Sequence, residues 1–256
     1  MIDPRQPGSL ENLRHHEVQQ VQRWFSPGMR VLEIGGADGF QARVIASWGC
    51  CVRSIDISRR PAYAKTYYPV EDYDGSCLPF PDASFDVVFS SNVLEHVRDV
   101  ERMLAESFRV LNPGGVCIHI LPSSAWRWWT LITHYPSIVL ALLGRKPGGE
   151  LPPTFTDAPT HARERNRLAR RLKNALIPPP HGEDPNAFTE LYTYSSGRWR
   201  RLFEKSGFQV ILIQPARLFY TGHLLFPAIS IGSREALASL CGSGCQIYVL
   251  KRRPSD

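Results

Sequence analysis

The chain has no Cys-x-x-Cys pair, no Gly-x-Gly-x-x-Gly, no P-loop, no internal repeat and no apolar run long enough to cross a bilayer. Each absence removes a class. Its six cysteines (Cys50, Cys51, Cys77, Cys117, Cys241 and Cys245) offer only a doublet and a Cys-x3-Cys, poor patterns for zinc or dithiol chemistry. Reduced thiols in a cytoplasmic protein are expected. The missing glycine fingerprints argue against a dinucleotide cradle and a nucleotide P-loop. The opening MIDPRQPGSLENLRHH has no apolar core and does not read as a signal peptide. The most apolar stretch, 128–143 (WWTLITHYPSIVLALL), is only 16 residues long and contains Pro136. A spanning helix needs about 20 residues, so no transmembrane span is expected.

Charge is modest. Lys and Arg number 30 against 24 Asp and Glu, a net +6, which permits an anionic partner without demanding one. With 43% apolar and 21% charged residues, the 256 residues suffice for one large core.

The first half alternates in character. A polar helix that buries little is expected over 9–25, ended by Pro27-Gly28. The apolar runs 29–34 (MRVLEI), 52–56, 85–90 (FDVVFS) and 116–121 (VCIHIL) read as buried strands, with a further short strand at 69–73. Helices fit 40–48 and 98–111, the second stopped by Asn112-Pro113-Gly114-Gly115. Strands of five or six residues separated by helices predict an α/β fold, a mostly parallel sheet covered on both faces. At Pro122 the pattern breaks. Residues 122–194 read as an irregular inserted lid, containing the Trp-rich run and a basic helix over 160–176. In that helix Leu168, Leu172, Ala175 and Leu176 share one face, and Arg163, Arg165, Arg167, Arg170, Arg171 and Lys173 crowd the rest. A helix at 195–206 and strands at 208–213 and 246–250 complete the core. The organisation expected is an N-terminal helix (1–28), a core (29–121 with 195–256) and the insertion (122–194).

Ligands of open α/β sheets bind beyond the carboxyl ends of the strands. There the first strand runs into Glu33-Ile34-Gly35-Gly36-Ala37-Asp38-Gly39, and Asp56 ends the second strand 23 residues after Glu33. Next come the run from Asp74 to Asp86, then SSNVLEHV (90–97), RVLNPGGV (109–116) and, later, WRRLFEKSGF (199–208). Five segments in this order resemble class I S-adenosylmethionine-dependent methyltransferases, of the small-molecule, ubiquinone- and menaquinone-pathway-like type. The resemblance spans residues 30–121, with a weaker match at 199–208. It implies a Rossmann-like seven-stranded sheet with a helical insertion after strand five, and S-adenosylmethionine as cofactor. It also implies roles. Glu33, Gly35, Gly36 and Gly39 would face the cofactor's amino-acid end. Asp56 would hold the ribose hydroxyls and Ile57 would lie against adenine. Asp74 would accept from the adenine amine with Gly75 nearby, and Ser90 and Ser91 would pass beside the methionyl group. Ala37 stands where the family often has a further glycine, and its methyl is tolerable with a negative φ.

For catalysis, His96 is the candidate base, at the expected cofactor mouth just past strand four. His181, Glu190 and Tyr192 are candidates for positioning the acceptor. Asn92, Glu95 and His96 together are poor in charge for Mg²⁺, so no metal is expected. The acceptor expected is small and apolar or lipid-linked, methylated at oxygen; N- or C-methylation and a non-catalytic cofactor-binding scaffold are the alternatives. The insertion either forms a lid or makes peripheral contact with anionic membrane. A nucleic-acid partner is disfavoured, since no Asn-Pro-Pro-[Tyr/Phe]-like tetrapeptide follows strand four. Nothing in the sequence bears on oligomeric state.

Overall fold

The computed structural model describes residues 10–57, 65–142, 178, 180–184, 186–221 and 228–253. The basic helix expected at 160–176 lies outside the described residues. In chain order the elements are α1 (Leu10–Gln19), β1 (Arg30–Ile34), α2 (Phe40–Ser47), β2 (Cys51–Ile57), β3 (Glu71–Tyr73) and β4 (Phe85–Ser91). Then follow α3 (Val100–Val110), β5 (Leu111–Pro122), α4 (Ser124–Leu142), α5 (Thr189–Thr193), α6 (Ser196–Lys205), β6 (Phe208–Pro215), α7 (Ile231–Cys241) and β7 (Cys245–Arg252). Seven strands form one sheet in the order β3-β2-β1-β4-β5-β7-β6. β7 alone is antiparallel to its neighbours, opposing both β5 and β6. The chain reverses direction across the sheet between β1 and β4, so the crevice at their carboxyl ends is the switch point.

Apolar runs become strands here because both faces of the sheet are covered. On one face Val31, Val87, Phe89, Ile118, Ile120 and Val249 meet Val18 and Val21 near α1 and Phe40, Val44 and Ile45 of α2. On the other, Leu32, Ile34, Val88, Cys117 and Leu250 meet Met103 and Leu104 of α3 and Trp199 and Phe203 of α6. Asp99 caps α3 by accepting from the Arg102 N–H at 3.0 Å, and Ser195 caps α6. All six cysteines are free.

Two expectations fail. The N-terminal helix is shorter than 9–25 and buries more than its polarity suggested. Leu13, Glu17, Val18 and Val21 are all buried. The segment after Pro122 is not irregular but enters the 19-residue α4. Pro136 sits inside that helix on its exposed side. Its missing N–H costs one backbone bond. Neighbouring hydroxyls supply others, from Ser137 Oγ to the His134 carbonyl at 2.6 Å and from Thr133 Oγ1 to the Trp129 carbonyl at 2.7 Å. α4 also buries polar side chains beside the apolar Trp126 and Leu131. Arg127, Thr130, His134 and Ser137 are buried, while Trp128, Ile132, Tyr135 and Val139 are exposed. Among the described residues no helix is long and apolar enough to cross a membrane.

Candidate active site

The turn after β1 is built around a buried acid. Glu33 is 2% exposed, and its Oε2 accepts from Ser54 Oγ of β2 at 2.5 Å. Burial, reinforced by Asp38 and Asp56, raises its carboxyl to about 8. Two glycines make the arrangement possible. Gly35 has φ +79°, and a Cβ there would lie 2.3 Å from Val93 Cγ2. A Cβ on Gly36 would lie 2.0 Å from Ser54 Oγ, the atom that bonds Glu33. Gly39, at φ +79°, starts α2. Ala37 departs from expectation, with φ +50° rather than negative. It is held there because its N–H donates to Asp56 Oδ2 at 2.8 Å.

Asp56 thus braces the turn from β2. Its other oxygen accepts from the Ile57 N–H at 2.7 Å. A carboxylate at the end of β2 can also accept from the hydroxyls of a ligand diol. Asp74 forms a turn of its own, accepting from the N–H groups of Ser76 (2.8 Å) and Cys77 (3.0 Å), which hold its carboxyl below the usual range. Gly75 lies against Ile57, with the position of a Cβ 3.2 Å from Ile57 Cγ2. Four acids, Glu33, Asp38, Asp56 and Asp74, therefore line these strand ends. The donor set fits a cationic ligand with a diol, as S-adenosylmethionine is, and is wrong for a pyrophosphate. Ser90 differs from expectation. Its hydroxyl is fully buried against His119 Nδ1 at 2.8 Å, so only its backbone is available to a ligand. Ser91 stays half-buried at the strand end, where its Oγ accepts from Asn92 Nδ2.

Beyond β4 a second group assembles. Leu94–His96 form a short 3-10 turn in which Glu95 points inward and His96 is partly exposed. Neither oxygen of Glu95 has a hydrogen-bond partner among the described residues, and burial raises its carboxyl to about 8. His181 comes in from the far end of the insertion. Its ring lies 4.8 Å from that of His96 and 4.7 Å from Trp126 of α4, both edge-on. Burial lowers both imidazoles, His181 to about 3.

Glu190 anchors this segment rather than facing an acceptor. Its Oε1 accepts from the N–H groups of His181 and Gly182, both at 2.6 Å, and from the Tyr194 hydroxyl at 3.1 Å. Its Oε2 pairs with Arg127 Nε at 2.8 Å, with both side chains buried. Tyr192 is 63% exposed on the outer side of α5; the tyrosine turned toward the site is Tyr194.

Sequence reading missed the roof. Arg14 of α1 donates to Glu17 Oε2 at 2.8 Å and reaches Ser91 Oγ at 3.5 Å. Glu17 is buried and accepts from the Tyr220 hydroxyl at 3.0 Å, which also contacts Cys245 Sγ. Spacing could have shown this. Leu13, Glu17, Val18 and Val21 recur with a helical period, so Glu17 had to be buried with its partner, Arg14, one turn away.

A switch-point sheet with a glycine turn at β1, a carboxylate at the end of β2 and acids that suit a cation defines a class I S-adenosylmethionine-dependent methyltransferase fold. Comparison with known proteins agrees. Residues 32–119, about a third of the chain, match the methyltransferase domain family, and proteins of this fold class take S-adenosylmethionine as cofactor. Over 114 residues it is 38% identical to a probable S-adenosylmethionine-dependent methyltransferase of Mycolicibacterium smegmatis, covering 43% of this chain and 44% of that one. It is 33% identical over 97 residues to a demethylmenaquinone methyltransferase of Tropheryma whipplei, covering 34% and 39%. The matches thus span less than half the length of these relatives. A SAM-dependent methyltransferase structure from Aquifex aeolicus shares the fold, with a TM-score of 0.52 at 15% identity and 98% of each chain covered.

Proposed function

We propose that the chain is an enzyme that methylates a hydroxyl of a small apolar or lipid-linked acceptor. One observation carries this reading: the acid-lined turn after β1 and the Glu95–His96–His181 group follow the carboxyl ends of the adjacent parallel strands β1 and β4, with Val93 set against Gly35. When bound there, S-adenosylmethionine supplies an electrophilic methyl on sulfur. Glu33 and the glycines hold its amino-acid end, Asp56 its ribose, and Ile57, Asp74 and Gly75 its adenine. Trp126 and α4 cover the acceptor and exclude water. The acceptor oxygen forms the new C–O bond as the C–S bond breaks, and its proton leaves at the Glu95–His96–His181 group, with His96 the member nearest solvent. Mass spectrometry of metabolites from cells with and without the protein tests the reading. A species that is one methylene heavier only when the protein is present supports it. A methylated nitrogen or carbon in that species overturns the choice of oxygen.

Glu33 provides a check independent of the acceptor. With its carboxyl raised to about 8, it is protonated in the free protein at neutral pH. A sulfonium and an ammonium nearby favour the ionised form, so cofactor uptake is expected to release a proton between pH 5 and 8. Calorimetry in two buffers of different ionisation heat should give different apparent enthalpies for the wild type and equal ones for Glu33→Gln. For folding, a raised carboxyl stabilises below its ordinary value, and that contribution is lost as pH rises through about 8. Glu33→Gln should therefore gain thermal stability relative to wild type toward alkaline pH. Wild-type heats independent of buffer would remove Glu33 from the cofactor site.

The exposed stripe Trp128, Ile132, Tyr135 and Val139 favours peripheral contact with a membrane. An aromatic-aliphatic helix face of this kind suits the interfacial zone of a bilayer. Anionic vesicles are expected to co-sediment the protein at low salt, and Trp128→Ala with Ile132→Ala should weaken that binding. Failure to bind anionic vesicles at low salt would leave α4 as a lid alone.

A further inference from the structure

We infer that Glu95, His96 and His181 form a binding site for one divalent transition ion of the Zn²⁺ class. One donor atom from each of the three lies within 4.8 Å of the others. His96 Nε2 is 3.9 Å from Glu95 Oε1. Independently of that proximity, Glu95 is a buried acid without a partner: its side chain is fully buried and neither oxygen has a hydrogen-bond partner among the described residues. Around an ion with bonds of about 2.1 Å, donor atoms stand about 3.4 Å apart. Inward rotation of the two rings by roughly an ångström closes the site.

The surroundings hold the donors as outer groups hold ligands in a metal centre. The Glu95 turn is closed by its own backbone, His96 N–H to the Val93 carbonyl at 2.9 Å. The His181 segment is bolted to it by the Glu183 N–H on the Glu95 carbonyl at 3.2 Å. Gly182 permits that approach, since a Cβ there would be 2.5 Å from the Glu95 carbonyl oxygen. Glu190 fixes the backbone of His181 and Gly182, and Trp126 packs against the His181 ring.

Two imidazoles and one carboxylate select a borderline ion. Mg²⁺ and Ca²⁺ prefer oxygen donors. Three protein donors leave a coordination position open, as in catalytic rather than structural sites. The sequence concealed the site because the third donor is not Asn92, next to the Glu95-His96 pair, but His181 at the end of the insertion. The inference deepens the proposed function, resting on the crevice being the acceptor pocket. With an ion held here the three side chains would serve as its ligands in place of acting as bases, and the ion would lower the pKa of an acceptor hydroxyl, the proton passing to solvent.

Calorimetric titration of Zn²⁺ into the chelator-treated full chain tests this, with S-adenosylmethionine titrated separately. One tight Zn²⁺ site per chain is expected, not displaced by excess Mg²⁺. Outer-sphere changes at metal sites typically cost about 10–100-fold in affinity, so losing a direct ligand in Glu95→Gln or His181→Ala should cost at least that. His96→Gln provides a third variant where His181→Ala does not fold, and His15→Ala should bind as wild type. Zn²⁺ affinity unchanged in Glu95→Gln and His96→Gln, or no tight site in the wild type, would overturn the inference. Cofactor binding without Zn²⁺ binding would refute the ion and leave the methyltransferase reading standing. Zn²⁺ binding without cofactor binding would do the reverse.

Discussion

Asp56→Ala is expected to weaken S-adenosylmethionine binding by about 10²–10⁴-fold. The reasoning begins at the end of β2, where Asp56 is 7% exposed and already accepts from the N–H groups of Ala37 and Ile57. Its place at the strand end is the one from which the resemblance has it accept from the two ribose hydroxyls. A hydrogen bond to a charged group is worth about 1.5–3 kcal/mol. Two of them give about 3–6 kcal/mol, which converts to that range of dissociation constants at about 1.4 kcal/mol per decade. A second loss accompanies the first. Ala37, at φ +50°, is in a conformation that costs a non-glycine residue about 1–2 kcal/mol. Without the Asp56 carboxylate to hold its N–H, the turn relaxes. Asp56→Asn separates the two effects, because the amide keeps one acceptor oxygen and the side-chain volume. Its affinity should fall between wild type and Asp56→Ala, with a smaller drop in melting temperature. Calorimetry with wild type and both variants measures this. Equal affinity for all three would remove Asp56 from the site.

The fold was legible where burial on both sides of the sheet forces apolar runs, as in FDVVFS and VCIHIL, and where a loop must begin, as at Gly35; the turn expected at Asn112-Pro113-Gly114-Gly115 is instead the start of β5, which runs Leu111–Pro122. The site was legible in part. The acids at strand ends and the Glu95-His96 pair sit on short segments whose position follows from the strand before them. What escaped depended on long-range packing. The polarity of α1 hid the burial of Glu17, which its partners Arg14 and Tyr220 make tolerable. The apolar run 128–143 read as part of a lid or of a peripheral membrane contact, and gave no sign that α4 turns Arg127 and His134 inward. Arg127 can be buried because Glu190, distant in sequence, meets it at 2.8 Å. Choosing between Tyr192 and Tyr194 required the rotational phase of a five-residue helix, which no periodicity over so short a span supplies.

The role of His96 rests on the same long-range packing. His96→Ala is expected to reduce turnover by about 10²–10⁴-fold, the usual worth of a group that manages a proton in the transition state. Cofactor affinity should stay within about twofold, since a shift of 0.4 kcal/mol or less is about that factor. The expectation follows from position. His96 is just past β4, is partly exposed, and has His181 on one side and the buried Glu95 on the other. No residue expected to hold the cofactor depends on its ring, because Glu33 and Asp56 take their partners from Ser54, Ala37 and Ile57. The variant should fold, as the ring is only half-buried and its backbone N–H, which closes the turn, is retained. Single-turnover assays with the cofactor saturating separate chemistry from binding. A rate loss with unchanged cofactor affinity assigns His96 to the acceptor half of the crevice. Loss of cofactor affinity with an unchanged single-turnover rate would assign it to the other half. A variant with normal turnover would show that the acceptor's proton leaves elsewhere, and the buried Glu95 carboxyl, 3.9 Å from the His96 ring, would then be the group to replace next.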